Sequence, residues 1–239
     1  MPDPILCETE GSVMKLTLNR PDVGNLMTID MGRQLAQMIA AAGESQLIVL
    51  RGAGKDFCLG RDLGPAPSGP PPTALDVRRG NTDPVVELYS AFRRTPVPVL
   101  GVVTGRAIGL GCALASLCDI TIAGSDARFQ LPEMQHGIPP CLAMHALLDR
   151  VPPKALAHLV YSTLPIDAAT ALSIGLLSRV VPETRLETEV GEFVSMISQR
   201  VPAAVRGVKE FLRSAPAMDS QGALDFASNL IANVLSSRR

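Results

Sequence analysis

A short apolar run breaking into a glycine-rich turn occurs twice in this chain, as LIVLRGAGKDFCLGRDL (47–63) and PVLGVVTGRAIGLGCALASL (98–117). Each run is of strand length and carries few polar residues, so it reads as a strand buried on both faces. Strands of that kind, separated by helical segments, point to an α/β fold. A turn leading from a strand into a helix leaves backbone N–H groups unpaired, and the helix dipole adds positive potential beside them. Two such turns facing each other would make a pair of donors for a developing oxyanion. On spacing alone the plainer reading stands first: the glycines allow tight turns and close packing.

Composition narrows the classes. Apolar residues make up 46% of the 239 positions and charged residues 19%, enough for a sizeable core and too apolar for disorder. A net charge of −1 gives no basic footprint for nucleic acid or a membrane surface. Aromatic residues are 3%, with no Trp, which disfavours a stacking platform for single strands. Five cysteines (Cys7, Cys58, Cys112, Cys118, Cys141) include no Cys-x-x-Cys pair, so reduced and mostly buried thiols are expected, with no metal site. The apolar stretch from Thr95 to Gly124 is interrupted by Arg106 and Asp119, and neither charge-free part reaches the ~18 residues of a membrane helix. The N-terminal MPDPILCETEG lacks the features of a signal peptide. The expectation is a soluble, cytoplasmic protein.

Along the chain, residues 5–19 alternate around Glu10-Gly11-Ser12 and predict a hairpin. Thr28 caps a helix that Gly43 stops. Residues 64–84 are dense in proline and glycine and predict a long loop without regular structure. A helix over about 85–94, a strand at 97–103, a helix over 110–117 and a strand in DITIAG follow. LPEMQHG is a short turn between Pro132 and Gly137. Beyond it, helical patterns dominate, at about 141–150, 153–161, 167–174, 184–200, 202–213 and 219–236. We divide the chain into a core, 1–184, and a C-terminal helical region, 185–239.

Several familiar motifs fail. GAGKD (52–56) lacks the ending of a phosphate-binding P-loop, and 105–111 does not match a dinucleotide fingerprint. No G-x-S-x-G elbow occurs. His136, His145 and His158 have no partners at metal spacing. His158 reads as structural, and His136, three residues after Glu133, is a weaker candidate for lining a site.

FCLGRDL (57–63) and TPVPVLGVVTGRAIGLGCALASLCDITIAGSDARFQLPEMQHGIPP (95–140) resemble the crotonase family, the enoyl-CoA hydratase/isomerase family. The second segment carries the more specific match, and NRP (19–21) and VPAAVRGVKEFL (201–212) also fit. The resemblance covers nearly the whole chain, least well at 64–84. It implies a crotonase-type ββα spiral core with a C-terminal helical trimerisation region, as a homotrimer or hexamer. It implies an acyl-CoA thioester substrate, with coenzyme A as part of the substrate and no further cofactor. By position, the oxyanion donors are the N–H groups of Arg61 and Leu110, and the segment carrying Leu59, Arg61, Asp62 and Leu63 borders the ligand. Many relatives have Ala and Gly at the two donor positions; Leu110 narrows the pocket, and Arg61 adds a cation that could reach a CoA phosphate or the acyl end.

The family's hydration pattern uses two glutamates. The second matches Glu133. The first falls at Ala113, which has no acid–base function. One carboxylate suits double-bond isomerisation better than two-acid hydration, so isomerisation is the first expectation and hydration the second. Decarboxylation, thioester hydrolysis and a non-catalytic acyl-CoA-binding role stay open. Cys141 occupies an acid position of some dienoyl-CoA isomerases but reads here as a small core residue, as do Cys58 and Cys112 in the turns. Asp119 is expected to be structural. Arg78 and Arg79 read as a solvated face or as phosphate contacts, and Arg20 and Lys209 are further candidates for the nucleotide end. A Clp-type serine protease would need a Ser/His/Asp order, which does not accompany Ser116.

Overall fold

The two apolar runs form neighbouring strands of one sheet. A computed structural model describes residues 3–64 and 71–236. The predicted hairpin is present as β1 (Ile5–Glu10) and β2 (Val13–Leu18), antiparallel around Gly11, whose φ of 57° suits glycine. Helix α1 (Ile29–Ala41) is capped by the Thr28 side chain, which accepts from the Met31 N–H at 3.1 Å. Strand β3 (Leu47–Gly52) then runs parallel to β2.

Residues 65–70 of the expected 64–84 loop lie outside the described residues. The rest departs from expectation. Helix α2 (Ala74–Val77) starts at a capping box, with Thr73 and Asp76 each satisfying the other's backbone N–H. A π-helical segment, 78–82, carries it straight into α3 (Asp83–Arg94). Its wider turn precedes Pro84, which lacks an N–H and would clash in a regular helical turn. The prolines cluster before Thr73, so their density says little about 73–83.

Strand β4 (Val99–Val103), the short β5 (Arg106–Ile108), helix α4 (Leu110–Leu117), β6 (Ile120–Gly124) and β7 (Arg128–Gln130) follow. Then come α5 (Cys141–Leu147), α6 (Pro153–Ser162), β8 (Ile166–Asp167), α7 (Ala168–Ser173), β9 (Arg179–Val181), α8 (Leu186–Ser198), α9 (Pro202–Ser214) and α10 (Ser220–Ser236). The main sheet has the order β1-β2-β3-β4-β6-β9, parallel from β2 onward, and β5-β7-β8 form a second, small sheet. Strands β5, β7, β8 and β9 have two or three residues each, too few to show an alternating pattern in the sequence.

Period-two alternation sorts the strands' side chains onto two faces. Ile48 and Leu50 pack with α1, α3 and α4, on the face that carries the site. Leu47 and Val49 point the other way, where Leu186 and Val190 of α8 cover them. The Gln46 side chain donates to the carbonyls of Ile197 and Arg200 at 2.7 Å each, closing the end of α8. The first helix of the C-terminal region is thus part of the core.

Lys209 on α9 does not face a nucleotide, contrary to expectation. It is 6% exposed, and its ammonium donates to the Phe92 and Val97 carbonyls and to Asp119 at 2.8 Å. The Asp119 carboxylate also accepts from the Val99 N–H at 2.7 Å. This ion pair pins α9 to the starts of β4 and β6, and Asp119 is structural as expected. Removing one partner of a buried pair strands the other charge. Asp119→Ala should therefore cost about 3 kcal/mol, read as a lowered urea midpoint at unchanged slope.

Candidate active site

The two glycine-rich turns lie side by side, joined by backbone hydrogen bonds. The Cys58 N–H donates to the Arg106 carbonyl at 3.2 Å, and the Ile108 N–H donates to the Cys58 carbonyl at 2.9 Å. This is a parallel bridge between Cys58 and Ala107. Arg61 and Leu110 each follow the bridge by three residues and meet in one small cleft. A second parallel bridge, between Met27 and Arg61, engages the carbonyl of Gly60 and the N–H of Asp62, and the Arg61 N–H has no partner among the described residues. The Leu110 N–H begins α4 and has no partner within the helix. Neither N–H has a backbone partner among the described residues.

Glycine makes this approach possible at two points. A Cβ on Gly111 would overlap the Cys58 carbonyl. Gly109 adopts φ 54° and ψ −115°, a region essentially closed to other residues, which leaves Leu110 free of positive φ.

A polar network fixes the first turn. The Asn25 side chain donates to the Ala53 and Asp56 carbonyls and accepts from the Arg20 N–H. Asp56, 5% exposed, takes two bonds at 2.8 Å from the Arg106 guanidinium, which holds its carboxyl below the usual range. The Arg20 guanidinium donates to the Leu26 carbonyl and to Asp62 at 3.0 Å, and this bond lowers the Asp62 pKa. Arg20 and Asp62, expected as ligand contacts, are here tied to each other. Leu59 packs on Gly24, and Leu63 is 62% exposed.

Glu133 stands in a single 3₁₀ turn, 133–136, at the mouth of the second glycine turn. A Cβ on Gly109 would come within 3.0 Å of its Oε1. Its Oε2 is buried and has no hydrogen-bond partner among the described residues. Burial raises its pKa, opposed by its own backbone N–H and by the nearby His136. Ala113, at the position of the missing glutamate, is fully buried. No carboxylate figures among the groups that shift Glu133. A lone, desolvated carboxylate beside two free N–H groups can take a proton while a carbonyl oxygen gains charge.

The other candidates separate clearly. Burial pushes the Cys58 thiol up to about 11 and the Cys112 thiol up to about 12, so both stay protonated packing groups, as expected. Cys141 is not a core residue: it is exposed at the first position of α5, where the preceding Pro139-Pro140 turn carries it outward. Arg78 is exposed and paired with Asp83, and Arg79 is exposed. His136 is exposed beside Glu133 and His158 lies on an exposed face of α6. The Ser116 hydroxyl is buried against the Ala146 carbonyl, so it is no nucleophile. Tyr89 was not anticipated. It is 4% exposed and stands near Arg61, Cys112 and Glu133; a tyrosine on an amphipathic helix carries no sequence signal beyond core packing.

The family model for enoyl-CoA hydratase/isomerase matches residues 8–239. The chain belongs to the enoyl-CoA hydratase/isomerase family. It is 31% identical to a short-chain-enoyl-CoA hydratase of Clostridium acetobutylicum, covering 94% of this chain and 86% of that protein. It is also 31% identical to a 2,3-dehydroadipyl-CoA hydratase of Escherichia coli, covering 92% and 86%. An enoyl-CoA hydratase structure from Mycobacterium smegmatis superposes with a TM-score of 0.89 at 28% identity, covering 96% of this chain and 90% of that one. A Thermobifida fusca structure in complex with acetoacetyl-CoA gives 0.86 at 27% identity, covering 98% and 95%. The fold is the crotonase fold, and the chain is an acyl-CoA enzyme of this family.

Gly109 carries the clearest test of the site's geometry. Gly109→Ala should leave the fold intact and lower kcat/KM at least about tenfold, because backbone strain and a displaced Glu133 act together. Steady-state kinetics beside a far-UV spectrum would check this.

Proposed function

We propose that this enzyme moves a double bond in an enoyl-CoA thioester. The carboxylate of Glu133 removes a proton from Cγ of a 2-enoyl thioester. The C–H electron pair becomes the β,γ double bond, the α,β pair shifts to the Cα–carbonyl bond, and the carbonyl pair moves onto oxygen. The N–H groups of Arg61 and Leu110 hold that oxygen as the dienolate forms, each worth roughly 2.7–4 kcal/mol by analogy with other oxyanion donors. Glu133 returns the proton to Cα, giving the 3-enoyl thioester, and the reverse path uses the same groups. The observation that carries the reading is the solitary carboxylate: Glu133 is present and Ala113 replaces the family's other glutamate. Hydration is the second reading, favoured by relatives that carry the name hydratase.

No cofactor beyond coenzyme A in the substrate enters this scheme. Five free thiols support a reducing, cytoplasmic setting. The apolar groove between α9 and α10, with Val208 and Leu212 each 61% exposed, supports packing as a homotrimer or hexamer.

The decisive experiment follows isotope uptake from D₂O into 2-enoyl- and 3-enoyl-CoA while the products are identified. Wild type should incorporate deuterium at Cα and Cγ and yield the shifted double bond. Glu133→Gln should lose about 10²–10⁴-fold of the rate. A 3-hydroxyacyl product with little exchange at Cγ would replace isomerisation by hydration.

The raised pKa of Glu133 makes two further predictions. The base form is lost at a higher pH than for an ordinary glutamate, so the acid limb of kcat/KM should lie above 4.5. A folded pKa above the unfolded one supports the fold below the unfolded value and costs stability as pH rises through the folded value. At neutral pH, Glu133→Gln should therefore melt no lower than wild type, although it is nearly inactive; a thermal melt checks this.

A further inference from the structure

Thr163 sits in a backbone conformation that its side chain disfavours. It ends α6 with φ 54° and ψ 13°, in the left-handed region. Among the described residues only Asn25 shares a positive φ without being glycine, and asparagine tolerates that region far better than a β-branched residue does. A residue strained in this way persists where its surroundings over-determine it. Hydrogen bonds do so here from three sides. The buried Thr163 hydroxyl donates to the Ser162 carbonyl at 2.7 Å and accepts from Gln135 Nε2 at 2.9 Å. The Thr163 carbonyl accepts from Gln130 Nε2 at 2.7 Å. The chain beyond is tied to the same strand as Gln130, since Ile166 pairs with Phe129 of β7.

Both glutamines lead to the site. Gln130 ends β7, and its carbonyl accepts from the Gly109 N–H at 2.8 Å, immediately before the Leu110 donor. Gln135 lies in the 3₁₀ turn that carries Glu133. That turn has little else to hold it. Its backbone bonds close on itself, from the Gln135 N–H to the Pro132 carbonyl, from Gly137 to Met134 and from Ile138 to Glu133. Residues 134–139 are exposed. Among the described residues, the bond from Gln135 to Thr163 is the single hydrogen bond from 132–138 to another element. Glu133 does not anchor the turn, since its Oε2 is buried without a partner among the described residues.

We infer that Thr163 is a positioning residue for the proton transfer: through Gln135 its hydroxyl holds the turn of Glu133, and through Gln130 its carbonyl holds the strand end beside Gly109. The base and the oxyanion donor thereby keep one spacing. The inference rests on Glu133 as the proton carrier. Thr163 acts through the two glutamines and not on the substrate. Its hydroxyl suits the junction because it can donate and accept at once: the bond to Ser162 uses the proton and leaves a lone pair for Gln135. A proton carrier misplaced by about 1 Å can lose about 10²-fold in rate.

Steady-state kinetics on the enoyl-CoA that wild type converts, by bond shift or by hydration, would compare Thr163→Val, Thr163→Ser and Gln135→Met. Valine keeps the shape and loses the hydroxyl; serine keeps the hydroxyl. Gln135 is exposed, so Gln135→Met removes the same bond without touching the core. Thr163→Val and Gln135→Met should each lower kcat at least about tenfold with KM within about twofold of wild type. Thr163→Ser should stay within about threefold of the wild-type kcat. In a Glu133→Gln background, Thr163→Val should cost nothing further, because the group it positions is gone. Wild-type kcat in Thr163→Val would overturn the inference. So would an equal loss in Thr163→Ser, or a further loss of about tenfold in the Glu133→Gln background, which would place the effect outside the proton carrier. Amide hydrogen exchange reads the turn without turnover. Thr163→Val should speed exchange at Gly137 and Ile138 at least about tenfold and leave α4 unchanged; unchanged exchange at both amides would equally overturn the inference. If Glu133→Gln keeps the wild-type rate, the proton-carrier reading fails by itself, and the exchange result still decides whether Thr163 holds the turn.

Discussion

The parallel bridge between Cys58 and Ala107 is the contact on which the site depends. It joins two segments that leave the main sheet from neighbouring strands, β3 and β4, and holds them in register for three residues more. Arg61 and Leu110, each three residues beyond it, line one small cleft. The bridge needs a bare backbone at Gly111, where any side chain would displace the Cys58 carbonyl, and a backbone conformation at Gly109 that other residues avoid. It also needs the first turn to be stiff. The bonds from Asn25 and from Arg106 to the segment around Asp56 supply this, fixing the turn from both sides. Donors held in this way are already oriented before charge develops, so the protein has little to reorganise when it does.

What could be read from the sequence follows from how local each signal is. The strands at 47–52 and 99–103 are apolar along nearly their whole length because both of their faces are covered, and that shows in a single chain. Thr28 and Gly109 mark their helix starts by ordinary capping and turn chemistry. The short strands β5, β7, β8 and β9 have no such mark, since two or three residues pair only because their neighbours place them. The stretch at 73–83 misleads for a related reason: the prolines just before it suggest a loop, while the Thr73–Asp76 capping box, a weaker pattern, decides the outcome.

The site residues divide in the same way. Arg61 and Leu110 line one cleft and Glu133 stands against Gly109, positions set by the two turns and not by side-chain identity. Lys209 and Arg20 could not be assigned correctly from the sequence. A cation reads as surface charge until its partner is known, and their partners, Asp119 and Asp62, lie 90 and 42 residues away. Tyr89 is hidden for the opposite reason: its ring belongs to the core face of α3, and only the fold sets it near Arg61 and Glu133.

Ala113 and Arg61 together suggest how this chain departs from a two-carboxylate arrangement. Position 113, fully buried in α4, carries alanine and so no charge. Burial raises the pKa of Glu133, opposed by its own backbone N–H and by His136. The Arg61 guanidinium bonds to the neutral Asn81 Oδ1 and to no carboxylate among the described residues.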